Sequence, residues 1–209
     1  MDAGKAYPCG CSRRALANAP RGPLGIIYPG NCRSGCDADE FALRVRTDPV
    51  PVQFHDRLQG LQSQRLEAES GDFVVLRRDG LIAYQLAVVV DDELQGITDV
   101  VRGIDLMDST PRQIWLQRLL GYPTPSYCHL PVAINERGQK LSKSHGAPAI
   151  PLDAPADNLV AALDMLGQQP PQDLKSARLP EIWKWAEDNW DIDVLVGRAD
   201  IPTPENRLR

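Results

Sequence analysis

The chain has 209 residues and a mass of 23.1 kDa, with 43% hydrophobic and 24% charged side chains. That balance is ordinary for a globular protein and excludes a mostly disordered chain. The net charge of −5 and pI of about 5.2 are not the footprint of a non-specific nucleic-acid binder, so any RNA contact has to come from a local basic patch. No uninterrupted apolar run exceeds five residues, as in Leu86–Val90. A membrane helix needs about 20. Met1–Lys5 carries no apolar signal region, and a cytoplasmic protein with no membrane association is expected.

Residues 1–40 are rich in Gly and Pro and read as loop. Phe41–Arg46 alternates as a half-buried strand does, and Val50–His55 predicts a second strand. Gln59–Gly71 is polar and reads as loop. Asp72–Leu76 and Leu81–Ile82 flank Arg77-Arg78-Asp79-Gly80, a hairpin turn built on Asp-Gly. Val88-Val89-Val90 favours strand by propensity, but Ala83, Leu86, Ala87, Val90 and Leu94 recur at helical spacing and predict a helix over 83–94. Asp99–Arg102 reads as a short buried strand. Thr110 as N-cap, Pro111 in the first turn and Gly121 as a stop predict a helix over 111–120. Ser126–Val132 predicts a strand, and Asn135–Gly138 a turn. Asp157 is expected to cap a helix bearing Leu159, Val160, Leu163 and Leu166. Pro180 opens another that carries Trp183, Ala186 and Trp190; Trp183, Trp185 and Trp190 include a helical apolar stripe and read as core. From residue 83 this order suits half of a parallel α/β sheet.

Five cysteines are an odd number, which argues against a closed disulfide framework. Four of them, Cys9, Cys11, Cys32 and Cys36, fall within the first 36 residues. Zinc takes about four ligands in a tetrahedron. Cys9 and Cys11 on a tight turn can grip one side; Cys32, with either Cys36 or the Tyr28 phenol, can close the other. A set of free buried thiols is the alternative. Lys140-Leu141-Ser142-Lys143-Ser144 sets two lysines in a loop of small residues, where ammonium charge can meet a polyphosphate and stabilise a leaving pyrophosphate. A solvated surface loop has the same composition. Arg102, at a strand end, can fork a carboxylate, and Tyr84 at a helix start can add a hydroxyl; an ordinary surface arginine and core tyrosine are the bland counterpart. Asp91-Asp92 reads as a solvated helix end, and His55, His129 and His145 show no ligand spacing.

Taken in order, Tyr84–Asp92, Gly96–Gly103, Asp105-Leu106, Ser109–Gln113, His129-Leu130-Pro131 and the lysine loop resemble the glutamyl/glutaminyl class I aminoacyl-tRNA synthetases. Lys140–Ser144 stands where that family has its K-M-S-K-S signature, with Leu141 in place of Met. Cys9, Cys11, Tyr28 and Cys32 are similar to the zinc pattern of the branch that attaches glutamate to queuosine, in which a tyrosine is the fourth ligand; the gap between Cys11 and Tyr28 is longer here, which leaves Cys36 as a substitute. The resemblance implies an α/β fold: the second half of a Rossmann-like parallel sheet (73–150), a zinc-bearing inserted domain (1–72) and a short helical tail (151–209). A discriminating glutamyl-tRNA synthetase carries a large anticodon-binding domain where this tail stands. The resemblance further implies a monomeric ligase with structural zinc. It would use ATP with magnesium, glutamate and tRNA(Asp), with Tyr84 and Arg102 on glutamate. Lys140, Ser142 and Lys143 would meet ATP, Lys143 being catalytic. The family's R-F-A-P-S stretch and H-x-G-H-like signature have no counterpart, and no histidine precedes His55. The expectation is a partial chain, inactive alone. A non-catalytic zinc-stabilised RNA- or partner-binding module and a truncated glutamyl-tRNA synthetase are the rival readings.

Overall fold

In the computed structural model, which describes residues 4–22, 24–142, 147 and 149–203, the chain opens with three short strands. These are β1 (Ala6–Cys9), β2 (Arg21–Gly22) and β3 (Gly25–Ile26). Next come β4 (Ala42–Val45), β5 (Val52–Asp56), β6 (Gly60–Gln64), α1 (Leu66–Glu69) and β7 (Phe73–Leu76). They are followed by α2 (Tyr84–Leu94), β8 (Asp99–Gly103), α3 (Thr110–Leu120), β9 (Ser126–Leu130) and β10 (Val132–Ile134). The last elements are α4 (Pro155–Met165), α5 (Leu179–Asn189) and β11 (Asp200–Pro202). Among the described residues no helix is long and apolar enough to cross a membrane.

β4 is the middle strand of an antiparallel sheet ordered β1–β4–β7. A second sheet has the order β6–β5–β9–β8, with β5 and β9 parallel at Asp56 and Tyr127. β10 and β11 pair in parallel, and β2 and β3 form a small antiparallel ribbon. The chain divides into two compact units. One comprises residues 1–56, 61–100 and 106–127; the other 57–60, 101–105 and 128–209. The first has a core of Val45, Val52, Leu66, Phe73, Val75, Val89 and Ile114, with Leu86 and Trp115 packed against it. The second holds one cluster of Val160, Leu163, Ile182 and Ala186 between α4 and α5, and another around Leu58, Cys128 and Leu195.

Helical spacing prevails over strand propensity at Val88–Val90, because Val89 and Leu86 of α2 bury one face in the first core. α3 begins one residue earlier than expected, with Ser109 rather than Thr110 at the N-cap position, and ends at Gly121 in the left-handed conformation, φ 76°. Several expectations are corrected. The polar stretch 59–71 contains β6 and α1; β6 shows no apolar alternation because it lies at the sheet edge, with Leu61 exposed. The first 40 residues supply β1, whose partner β4 lies far along the chain. The strand expected over 126–132 is interrupted at Pro131. Asp157 lies in the first turn of α4, while Ala154 occupies the N-cap position. Trp183 and Trp190 are 56% and 43% exposed, and only Trp185 packs on the α4–α5 cluster.

The first unit is tied together by one buried carboxylate. Asp72 is 1% exposed and receives two hydrogen bonds from Arg33, at 2.6 and 2.7 Å. The Tyr7 hydroxyl donates to it as well, and so do the backbone N–H and hydroxyl of Thr47, at 2.8 and 3.0 Å. Burial by itself would raise this carboxyl, but the Arg33 guanidinium, the Tyr7 hydroxyl and the Thr47 N–H outweigh it and hold it below the usual carboxylate range. Its contribution to stability is therefore full above the ordinary Asp pKa of about 3.9 and is lost as the pH falls through the lowered value. Replacing Asp72 by Ala leaves Arg33 to Glu67 but takes the acceptor from the buried Tyr7 hydroxyl and Thr47 N–H, and should cost about 1–3 kcal/mol for each in urea unfolding. Asp72→Asn should flatten the loss of stability below about pH 4 relative to the wild type.

Candidate functional site

The end of β1 and the turns after it bring Cys9, Cys11 and Cys32 together, their sulfurs all within 4.8 Å of one another. The Tyr28 hydroxyl stands 3.2 Å from the Cys9 sulfur and 3.7 Å from that of Cys11. It also accepts the Cys32 backbone N–H at 3.0 Å. Tyr28 reaches this point through a close backbone approach to Gly71, which lies at φ +65°. A Cβ at Gly71 would come within 2.4 Å of the Tyr28 carbonyl oxygen and 2.6 Å of its nitrogen, so only glycine fits. Cys36 is absent from the cluster; its sulfur instead lies beside Gly10, where a Cβ would meet it at 3.1 Å.

The donor set suits zinc. With Zn–S bonds of about 2.3 Å, two thiolates at tetrahedral corners lie about 3.8 Å apart. The Cys11–Cys32 sulfur distance is 3.7 Å. An oxygen ligand bound at about 2.0 Å would sit about 3.5 Å from each sulfur, between the two distances that Tyr28 makes. Burial works against a Cys32 thiolate, but hydrogen bonds from the Tyr28 hydroxyl, the Gly10 N–H and the neighbouring thiols prevail and bring it down to about 7. Burial pushes the Cys11 thiol and the Tyr28 phenol up. Four protein donors leave no open coordination position, which fits a structural rather than a catalytic metal.

The residues expected to meet substrate are distributed differently. Tyr84 opens α2 in the first unit, where it is 51% exposed rather than buried as a core tyrosine would be. Arg102, on β8 in the second unit, donates from Nε to Nε2 of His129 at 3.0 Å. His129 on β9 is fully buried and accepts that bond at Nε2. Spacing rules for metal ligands passed over this histidine; its only signal was its place in His129-Leu130-Pro131. Lys140 follows β10 and forms an ion pair with Asp105. Ser142 ends the described stretch, and Lys143 and Ser144 lie outside the described residues.

Comparison with known proteins adds a second line. Residues 31–180 match the family of tRNA synthetases class I (E and Q), catalytic domain. The glutamyl-Q tRNA(Asp) synthetase of Thiobacillus denitrificans is 52% identical over 204 residues, 96% of this chain and 68% of that protein. The protein of the same name from Ectopseudomonas mendocina is 51% identical over 192 residues, 91% of this chain and 64% of its own length. The crystal structure of glutamate-tRNA synthetase from Elizabethkingia anophelis matches with a TM-score of 0.72 at 19% identity, covering 98% of this chain and 49% of that one. The chain thus spans about two thirds of these relatives and half of the solved structure. At that identity the structural match speaks for the fold alone.

The cluster generates a direct expectation. Protein purified without added metal should carry close to one zinc per chain by elemental analysis, and a content below about a tenth of that refutes the site. Cys9→Ser should lower both zinc content and stability, since binding to such a site is coupled to folding. Tyr28→Phe should weaken zinc binding while Cys36→Ser leaves it unchanged; the reverse would make Cys36 the fourth ligand.

Proposed function

Because the chain belongs to the class I tRNA synthetases for glutamate and glutamine, a family of ligases, we propose that it forms part of an enzyme that activates glutamate with ATP and transfers it to queuosine in the anticodon of tRNA(Asp). The observation that carries this reading is the 52% identity over 96% of the chain with a relative of that name. The intermediate is glutamyl-adenylate, made from glutamate and ATP with magnesium. Arg102 holds a carboxylate of glutamate, its guanidinium bonded through Nε to His129, and Tyr84 is the second glutamate-binding residue of this reading. Lys140, Ser142 and Lys143 meet the ATP phosphates, with Lys143 stabilising charge on the departing pyrophosphate. Lys140 must leave Asp105 to do so. The zinc staples the fold around β1 and takes no part in the chemistry. A cytoplasmic monomer belongs to the same reading.

The class I reaction needs ATP held in line with the amino-acid carboxylate, because positioning supplies much of the rate. The 209-residue chain carries the lysine loop without an H-x-G-H-like partner and should show little glutamate-dependent ATP–pyrophosphate exchange by itself. Joined to the N-terminal segment of the Thiobacillus relative, it should exchange and should load glutamate onto queuosine-containing tRNA(Asp). In that protein Lys143→Ala should reduce the rate by about 100-fold or more. Arg102→Ala should mainly raise the glutamate KM. Loading of tRNA(Glu) instead would make this an ordinary glutamyl-tRNA synthetase. No exchange in either form would favour a non-catalytic zinc-stabilised module.

A further inference from the structure

Arg44 lies on β4, the middle strand of the antiparallel sheet, and its side chain meets two of the four candidate ligands at once. Its Nε donates to the Cys9 sulfur at 3.3 Å. Its guanidinium carbon lies 3.9 Å above the centre of the Tyr28 ring. A third contact, from Nη1 to the Asp72 carbonyl oxygen at 2.7 Å, anchors the guanidinium to the backbone beside the Asp72 hub.

We propose that Arg44 is an outer-sphere positioning residue of the metal centre, holding the Cys9 thiolate by an N–H···S hydrogen bond and the Tyr28 ring by stacking on its face. This rests on the zinc reading above. Three thiolates and a phenolate around Zn²⁺ carry a net charge of −2, and Cys9 and Tyr28 are 1% and 5% exposed. Buried charge is costly unless it is paired and hydrogen-bonded. Arg44 supplies one compensating charge, a hydrogen bond to the buried sulfur and a fixed plane for the ring that must deliver its oxygen. Lysine cannot reproduce this, since an ammonium lacks the planar fork that meets a sulfur and a ring face together. Arg46 provides an internal comparison. It lies two residues on along the chain, and its guanidinium sits over Tyr7, 4.9 Å from the ring centre. Tyr7 is no ligand.

The 209-residue protein and zinc alone suffice for the test, with circular dichroism to establish folding of each variant. Competition with a chelator should show zinc binding weakened about 10–100-fold in Arg44→Gln, the usual effect of removing an outer-sphere partner. Arg44→Lys should fall between. In the cobalt-substituted protein the thiolate-to-metal charge-transfer band should shift in Arg44→Gln. The cadmium-113-loaded wild type needs no variant: the Arg44 Nε proton should correlate with the metal nucleus through the N–H···S bond. Absence of that correlation, or zinc binding by folded Arg44→Gln as tight as the wild type, overturns the role of Arg44 and leaves the metal site standing. Failure of the wild type to take up zinc, cobalt or cadmium removes the metal site and this inference with it.

Discussion

The Asp72 carboxylate is the interaction on which the candidate metal centre depends. Its donors come from three separate stretches of the chain: Tyr7 in β1, Arg33 beside Cys32, and Thr47 beyond β4. Tyr7 precedes Cys9 by two residues on the same strand, so the two side chains lie on one face. Arg33 follows Cys32 directly. Gly71, the neighbour of Asp72, is where the Tyr28 backbone comes closest. The carboxylate therefore sets the places from which three of the four candidate ligands reach inward, and Arg44 extends the same network to the Cys9 sulfur. A cluster of thiols that looks local in sequence is organised by an acid that no ligand pattern contains.

The second unit shows a different economy. Arg102 and His129 come from neighbouring strands of one sheet, and the histidine accepts the hydrogen bond that orients the arginine. The guanidinium is planar, and it is carried on a strand rather than on a loop. That arrangement suits recognition of a carboxylate, where a planar fork placed in advance loses little freedom on binding.

Much of the fold was legible because its signals are local. The Pro111 and Gly121 boundaries of α3, the apolar face of α2, the Asp79-Gly80 turn after β7 and the alternation around β4 all rest on neighbours within a few residues. What escaped depends on distant partners. β6 is an edge strand whose outward residues carry no hydrophobic face. β1 hides in a Gly- and Pro-rich segment and is a strand only because β4 pairs with it. Trp183 on α5 and Trp190 just past its end follow helical spacing, yet Ile182 and Ala186 are the residues that pack against α4, and both tryptophans are left exposed. In the cluster, Cys9, Cys11, Cys32 and Tyr28 were nameable from residue type and family pattern, with Cys36 left as a rival. Asp72 and Arg44 were not, because a single acid or base says nothing of its partners until the sheet has formed.

The separations within the Asp72 network carry a consequence for how the first unit comes into being. Tyr7 meets Asp72 across 65 residues, Arg33 across 39 and Thr47 across 25. A short zinc finger can be organised by its metal, because its ligands are close in sequence and the loops to be closed are small. The candidate ligands here are also close, within residues 9–32, but the network that sets their places closes much longer loops, and that chain entropy is recovered only when β1, β4 and β7 have assembled. A metal ion would then act as a late lock rather than as a nucleus. The rate at which it is captured would follow the slow formation of the sheet, and not the speed at which thiols diffuse together.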